Sequence, residues 1–154
     1  MPRILAALAA CTLAMGAQAE TFRTVATVEG VARVVNGDGL RIGPVEVRLN
    51  GIAAPEDGAH AVDPGGPEAT AALRDLAGGR HVVCRIDGTT TRGRAVGRCA
   101  VGDLDLGGAL VRGGWARDCP RFSGGDYAAA EAAARAAGRD LAAIYALPEY
   151  CGRG

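Results

Sequence analysis

From Val45 to Asn50 apolar and polar residues alternate strictly, so that Val45, Val47 and Leu49 share one face and Glu46, Arg48 and Asn50 the other. A period of two is that of a strand with one buried face, and it predicts that Arg48 points away from the core. The β-branched stretch Val25 to Val35 and the apolar run Leu40 to Ile42 flank Asn36-Gly37-Asp38-Gly39, a strong turn signal, and together predict a hairpin. Two more apolar runs, His81 to Ile86 and Ala95 to Val101, flank a polar turn and predict a second hairpin. Helical spacing appears three times. Glu68 to Leu76 would bury Ala72, Leu73 and Leu76 and stop at Gly78-Gly79. Leu104 to Arg112 would be capped by Asp103 and stopped by Gly113-Gly114. Tyr127 to Ala137 is alanine-rich, with Glu131 and Arg135 one turn apart. Gly51 to Glu56 leaves the strand, a loop rich in glycine, proline and aspartate follows up to Pro67, and a tail with Tyr145, Leu147, Tyr150 and Cys151 closes the chain.

Five short strands, a helix between the third and fourth and helices at the end predict an α+β, mainly β fold: a five-stranded Greek-key barrel of the oligonucleotide-binding (OB) type with about three helices. At 154 residues the chain is expected to form one domain. Its first nineteen residues differ in kind: Arg3, an apolar run from Ile4 to Met15, then Ala17-Gln18-Ala19 as a cleavage site. Residues 1–19 therefore read as a secretory signal and 20–154 as the mature domain, exported to a periplasm or secreted. No second long apolar segment exists, so no membrane span is expected.

Composition then narrows the chemistry. Without the signal's Arg3, sixteen of the seventeen arginines face seventeen acids, a net charge of about −1, so bulk charge does not indicate nucleic-acid binding. Removing Cys11 with the signal leaves Cys84, Cys99, Cys119 and Cys151, an even number in an exported chain, which points to disulfides. Opposed residues of a hairpin share a constant index sum, and pairing Cys84 with Cys99 centres the turn between Thr91 and Arg92, inside the polar stretch. Cys119 and Cys151 then pair by elimination. With no Cys-x-x-Cys and only His60 and His81, a structural zinc site is not expected.

The charged residues at the turns and strand ends carry the candidate chemistry. Asp38 lies in a glycine-flanked turn, Arg48 on a strand, Glu56 eight residues later after a proline, and Arg94 just before another strand. Taken singly each has a plain structural role: Asp38 as a turn former, Glu56 and Arg94 as solvated charges, Arg48 as a surface partner of Glu46. Taken in order, Asn36-Gly37-Asp38-Gly39-Leu40, Val47-Arg48-Leu49-x-Gly51-Ile52-x-x-Pro55-Glu56, Gly93-Arg94 and Ala109-Leu110-Val111-Arg112 resemble the successive motifs of the thermonuclease (staphylococcal-nuclease-like) family, over nearly the whole mature chain.

That resemblance implies a nuclease hydrolysing phosphodiester bonds of single-stranded or frayed DNA or RNA, acting as a monomer. It implies Glu56 as general base, and Arg48 and Arg94 as phosphate clamps, whose rigid forks pair with phosphate oxygens and stay charged. It implies Ca²⁺, held by Asp38 and the backbone carbonyl of Ala54. The chain departs from the family pattern where Ala53 stands in place of a metal carboxylate, which predicts a weakened calcium site. In that reading the Ala53 side chain faces the pocket between Asp38 and Glu56, so that Ala53→Asp would restore a ligand. Pro120 and Phe122 fall where the family has base-stacking tyrosines; Phe122 can stack a base or pack in the core. The alternative function is a binding module for nucleic acid or protein that has lost part of the metal site.

Overall fold

The computed structural model describes residues 22–152; the segment read as a signal, 1–19, lies outside them. Strand β1 (Ala26–Asn36) turns through Gly37-Asp38 into β2 (Gly39–Ile42), which pairs antiparallel with β3 (Val45–Leu49). After the two-residue strand β4 (Ile52–Ala53) and a loop comes helix α1 (Gly66–Ala77). A long hairpin follows, β5 (His81–Thr91) with β6 (Arg94–Val101). The strands run β3-β2-β1-β5-β6, and a parallel pairing of β3 with β6 closes them into a five-stranded barrel.

The core forms because the predicted faces meet. Leu40, Val47, Leu49, Val82 and Cys84 from the strands, Leu73 from α1, and Leu106 and Leu110 are fully buried together. Burying a side chain of this size contributes about 1.5–3 kcal/mol. The Cys84–Cys99 disulfide joins directly opposed residues of β5 and β6. The turn of this hairpin is nonetheless displaced from its expected centre. The register shifts between Ile86 and Thr90, so Thr91 faces Arg94 and the turn residues are Arg92 and Gly93, both with positive φ. A bulge that adds residues to one strand shifts everything beyond it and leaves the cysteine pair untouched.

The C-terminal half carries two further differences. Leu104–Asp105 is a short strand, β7, on the edge of β6, and helix α2 (Leu106–Gly113) starts after it. Its cap is Asp105, whose carboxylate accepts from the Gly108 N–H at 2.7 Å, rather than Asp103. Strand β8 (Arg117–Asp118) then pairs with β4, a one-turn helix α3 (Pro120–Ser123) follows, and α4 (Ala128–Ala136) packs on α2. The tail makes two 3₁₀ turns, Leu141–Ala143 and Glu149–Cys151, and is tied back by the Cys119–Cys151 disulfide. No described helix is long and apolar enough to cross a membrane.

Candidate active site

Strand register assembles the charged centre. Gly39 of β2 faces Arg48 of β3, so the preceding residue, Asp38, sits at the end of that pairing, and its carbonyl accepts from the Leu49 N–H at 2.8 Å. On the other side Arg48 faces Val96 of β6, and Arg94, two residues earlier, shares the face of Val96. The result is one carboxylate between two guanidiniums: Asp38 Oδ2 lies 3.1 Å from Arg48 Nη2, and Asp38 Oδ1 lies 3.4 Å from Arg94 Nη1.

This cluster is not a set of exposed surface charges. The side chains of Arg48, Arg94 and Asp38 are 14%, 16% and 11% exposed. Arg48 is expected from alternation to point away from the core, and it does leave the barrel interior, but other chain segments cover it. Arg48 Nη1 donates to the Leu49 carbonyl at 3.3 Å and Nη2 to the Ile52 carbonyl at 3.5 Å. Glu46, its candidate surface partner, instead pairs with Arg41. Two positive charges against one negative leave a net positive site of low exposure, where attraction for an anion is screened less than at an open surface.

Glu56 occupies a different environment. It is exposed, on the loop between β4 and α1, and makes no ion pair among the described residues. The loop itself is held. The Glu56 N–H donates to Asp63 Oδ2 at 3.1 Å, and the Asp63 N–H returns to the Glu56 carbonyl at 2.9 Å. Helix α1 begins so close that a Cβ on Gly66 would collide with the Glu56 carbonyl oxygen, which makes glycine necessary there.

The remaining predicted residues divide. The Ala54 carbonyl, expected to ligate a metal, accepts a hydrogen bond from the Tyr145 hydroxyl at 3.2 Å. Ala53, expected to face the pocket, is fully buried in an apolar cluster with Cys119, Cys151, Tyr145 and Leu147. The cause is the β4–β8 pairing, which sets Ala53 opposite Arg117 and brings Cys119 to Gly51, with a 2.9 Å bond from the Cys119 N–H to the Gly51 carbonyl. Phe122 is 45% exposed and so is not a core residue; the Arg121 guanidinium lies over its ring at 5.4 Å. His60 and His81 are both exposed.

The donors do not fit a resident calcium ion. Calcium takes six to eight oxygen ligands, whereas both oxygens of Asp38 face guanidiniums, the Ala54 carbonyl is engaged by Tyr145, and Ala53 presents a methyl group to a disulfide. No group of three or more acidic, histidine or cysteine side chains suited to a metal occurs among the described residues. Of the donors expected from the family pattern, Asp38 alone offers a side-chain carboxylate, and both of its oxygens face arginines.

Tyr145 and Tyr150 are the site's neighbours that no periodicity announced. Tyr150 places its hydroxyl 3.5 Å from Arg48 Nη2. Burial, and after it the nearby Tyr150, Asp63, Glu56 and Asp38, raise the Tyr145 pKa above that of an ordinary phenol, so its hydroxyl stays a neutral donor. The one sequence signal pointing to the tail was Cys151, whose pairing with Cys119 returns the chain end to the barrel.

Set beside known proteins, residues 46–143, more than half of the chain, match the family model described as staphylococcal nuclease homologue. That span includes Arg48, Glu56 and Arg94, begins after Asp38 and stops before Tyr145. No curated protein matches the chain.

Proposed function

The chain belongs to the staphylococcal nuclease homologue family, and on that premise we propose that it binds the phosphodiester backbone of single-stranded or frayed DNA or RNA and cleaves it. The observation that carries this reading is the pair of guanidiniums sharing one carboxylate in a site of low exposure. Phosphoryl transfer spreads charge over the equatorial oxygens, and catalysis comes mainly from positioning and from donors already in place. Arg48 and Arg94 are such donors. A phosphate arriving between them competes with Asp38 for the same N–H groups, and Asp38 acts as the counter-ion that holds the two forks in register. Glu56, exposed on its loop, takes the proton of the attacking water. Phe122 offers an exposed ring to an unstacked base, a contact worth about 1–3 kcal/mol. Calcium enters no step, because the donors do not form its site. Export of the mature domain, 20–154, as a monomer belongs to the same proposal, supported by the N-terminal pattern and by four cysteines paired in two disulfides.

A second reading, a binding module without turnover, is favoured by Ala53 and by the commitment of Asp38 to both arginines. Incubating the mature protein with a fluorescent single-stranded oligonucleotide separates the two. Cleavage that Arg94→Ala cuts about 10²-fold supports the nuclease; binding without cleavage supports the module; neither binding nor cleavage overturns both.

A further inference from the structure

Glu56 has a problem that its own loop solves only in part. A catalytic base has to be held to within about 0.5 Å, yet Glu56 is exposed, lies in a loop rich in glycine and proline, and has no ion-pair partner among the described residues. Asp63 and Gly66 fix the loop on its α1 side. On the opposite side the support comes from the tail: the Tyr145 hydroxyl donates to the carbonyl of Ala54, two residues before Glu56.

The tail is in turn held where it is. Tyr145 and Leu147 pack on Ala53 and on the buried Cys119–Cys151 disulfide. Arg117 Nη1 donates to the Tyr145 carbonyl at 3.3 Å, while its Nε pairs with Glu131 of α4 at 2.9 Å. Leu141 and Ile144 converge with Pro55 around Gly65, at the start of α1. One stretch of chain therefore braces Ala54 and Pro55 and also reaches Arg48 through Tyr150. These tyrosines lie beyond residue 143, where the family match ends.

We propose that Tyr145 is a positioning residue for Glu56, and that the disulfide-held tail is a wall of the active site. The proposal rests on Glu56 as the base. Its hydroxyl acts on the loop backbone and not on substrate, so its loss should slow turnover and leave substrate binding unchanged. Neutrality of the phenol suits the role, since a phenolate could not donate to a carbonyl.

Tyr145→Phe keeps the ring in its apolar cluster and removes one donor. With the mature, disulfide-bonded protein, kcat on a single-stranded oligonucleotide should fall about tenfold, as a net loss of one hydrogen bond translates into rate, with KM within about twofold. Hydrogen exchange at the Glu56 amide, which Asp63 protects, should quicken about tenfold while exchange along β5 stays unchanged. Unchanged kcat with unchanged Glu56 exchange overturns the proposal, and so does an equal rise in β5 exchange, which marks general destabilisation. If the wild type cleaves nothing, the hydrolytic reading fails on its own, and faster exchange at Glu56 or its absence still decides whether Tyr145 holds the loop.

Discussion

The two disulfides sit in regions built on different principles. Cys84–Cys99 joins opposed residues of one hairpin, where backbone pairing already dictates the separation. Cys119–Cys151 joins the end of β8 to a tail that has no sheet partner. The candidate site straddles both regions. Asp38, Arg48 and Arg94 are delivered by the register of β2, β3 and β6, whereas the Ala54 carbonyl, Glu56, Tyr145 and Tyr150 are brought together by loop packing and a covalent tie. Register is cooperative and hard to perturb at one point, while a tied tail can be released by a single chemical change.

Removing each disulfide tests that difference most strongly. Cys119→Ser with Cys151→Ser opens a loop of sequence separation 32 and should lower stability by roughly 3–4 kcal/mol. Cys84→Ser with Cys99→Ser, at separation 15, should cost roughly 3 kcal/mol. Urea unfolding measures both, and cleavage assayed where each variant stays folded should suffer only in the first pair. Equal loss of activity in the two would show that the tail is no special part of the site.

Ala53→Asp probes the boundary between the regions. A carboxylate in the apolar cluster of Ala53, Cys119 and Cys151 loses its water, and its cross-strand neighbour Arg117 is already paired with Glu131, so the change should destabilise the protein by about 3 kcal/mol. Calcium should not restore the loss. Recovery of the unfolding midpoint on adding millimolar Ca²⁺ would instead place a metal at this position and reverse the conclusion drawn from the donors.

On the barrel side, Arg94→Ala should cut turnover about 10²-fold, equivalent to about 2.7 kcal/mol of barrier. Because Arg94 is 16% exposed and paired with Asp38, some stability should go with it, which the alternation-based expectation of an exposed Arg48 would not have suggested for its neighbour. Arg94→Lys should recover only part of the rate, since a point charge cannot reproduce a fork of donors. Full recovery would reduce the site to simple charge attraction.

The smallest effect is a pH dependence beside the tail. Asp118 of β8 is buried, and desolvation is the main reason that its pKa stands above the ordinary 3.8. The folded state then holds a proton more tightly than the unfolded one, so this residue's contribution to stability falls as pH rises from 3.8 through the folded pKa. Asp118→Asn should remove that slope and leave the protein slightly more stable near neutral pH than at pH 3, relative to wild type. Parallel stability–pH curves for the two proteins would refute the assignment.

What the sequence determined by itself was local. Alternation in Val45–Leu49, the Asn36–Gly39 turn and the apolar runs around the second hairpin placed the barrel strands, because a period of two and turn chemistry depend only on near neighbours. The order of motifs marked Asp38, Arg48, Glu56 and Arg94 as residues to watch, and the hairpin register paired Cys84 with Cys99. The tertiary structure decided what those residues touch. Whether Arg48 is open or enclosed depends on Asp38 arriving from the turn before β2 and on Tyr150 from the tail, 102 residues away. Whether Ala53 faces a pocket or a disulfide depends on the pairing of β4 with β8, two-residue strands too short to leave a pattern. The tail, with no periodicity at all, takes its place through one covalent bond and the packing of Tyr145 and Leu147, contacts between residues far apart in the chain that only the folded molecule brings into range.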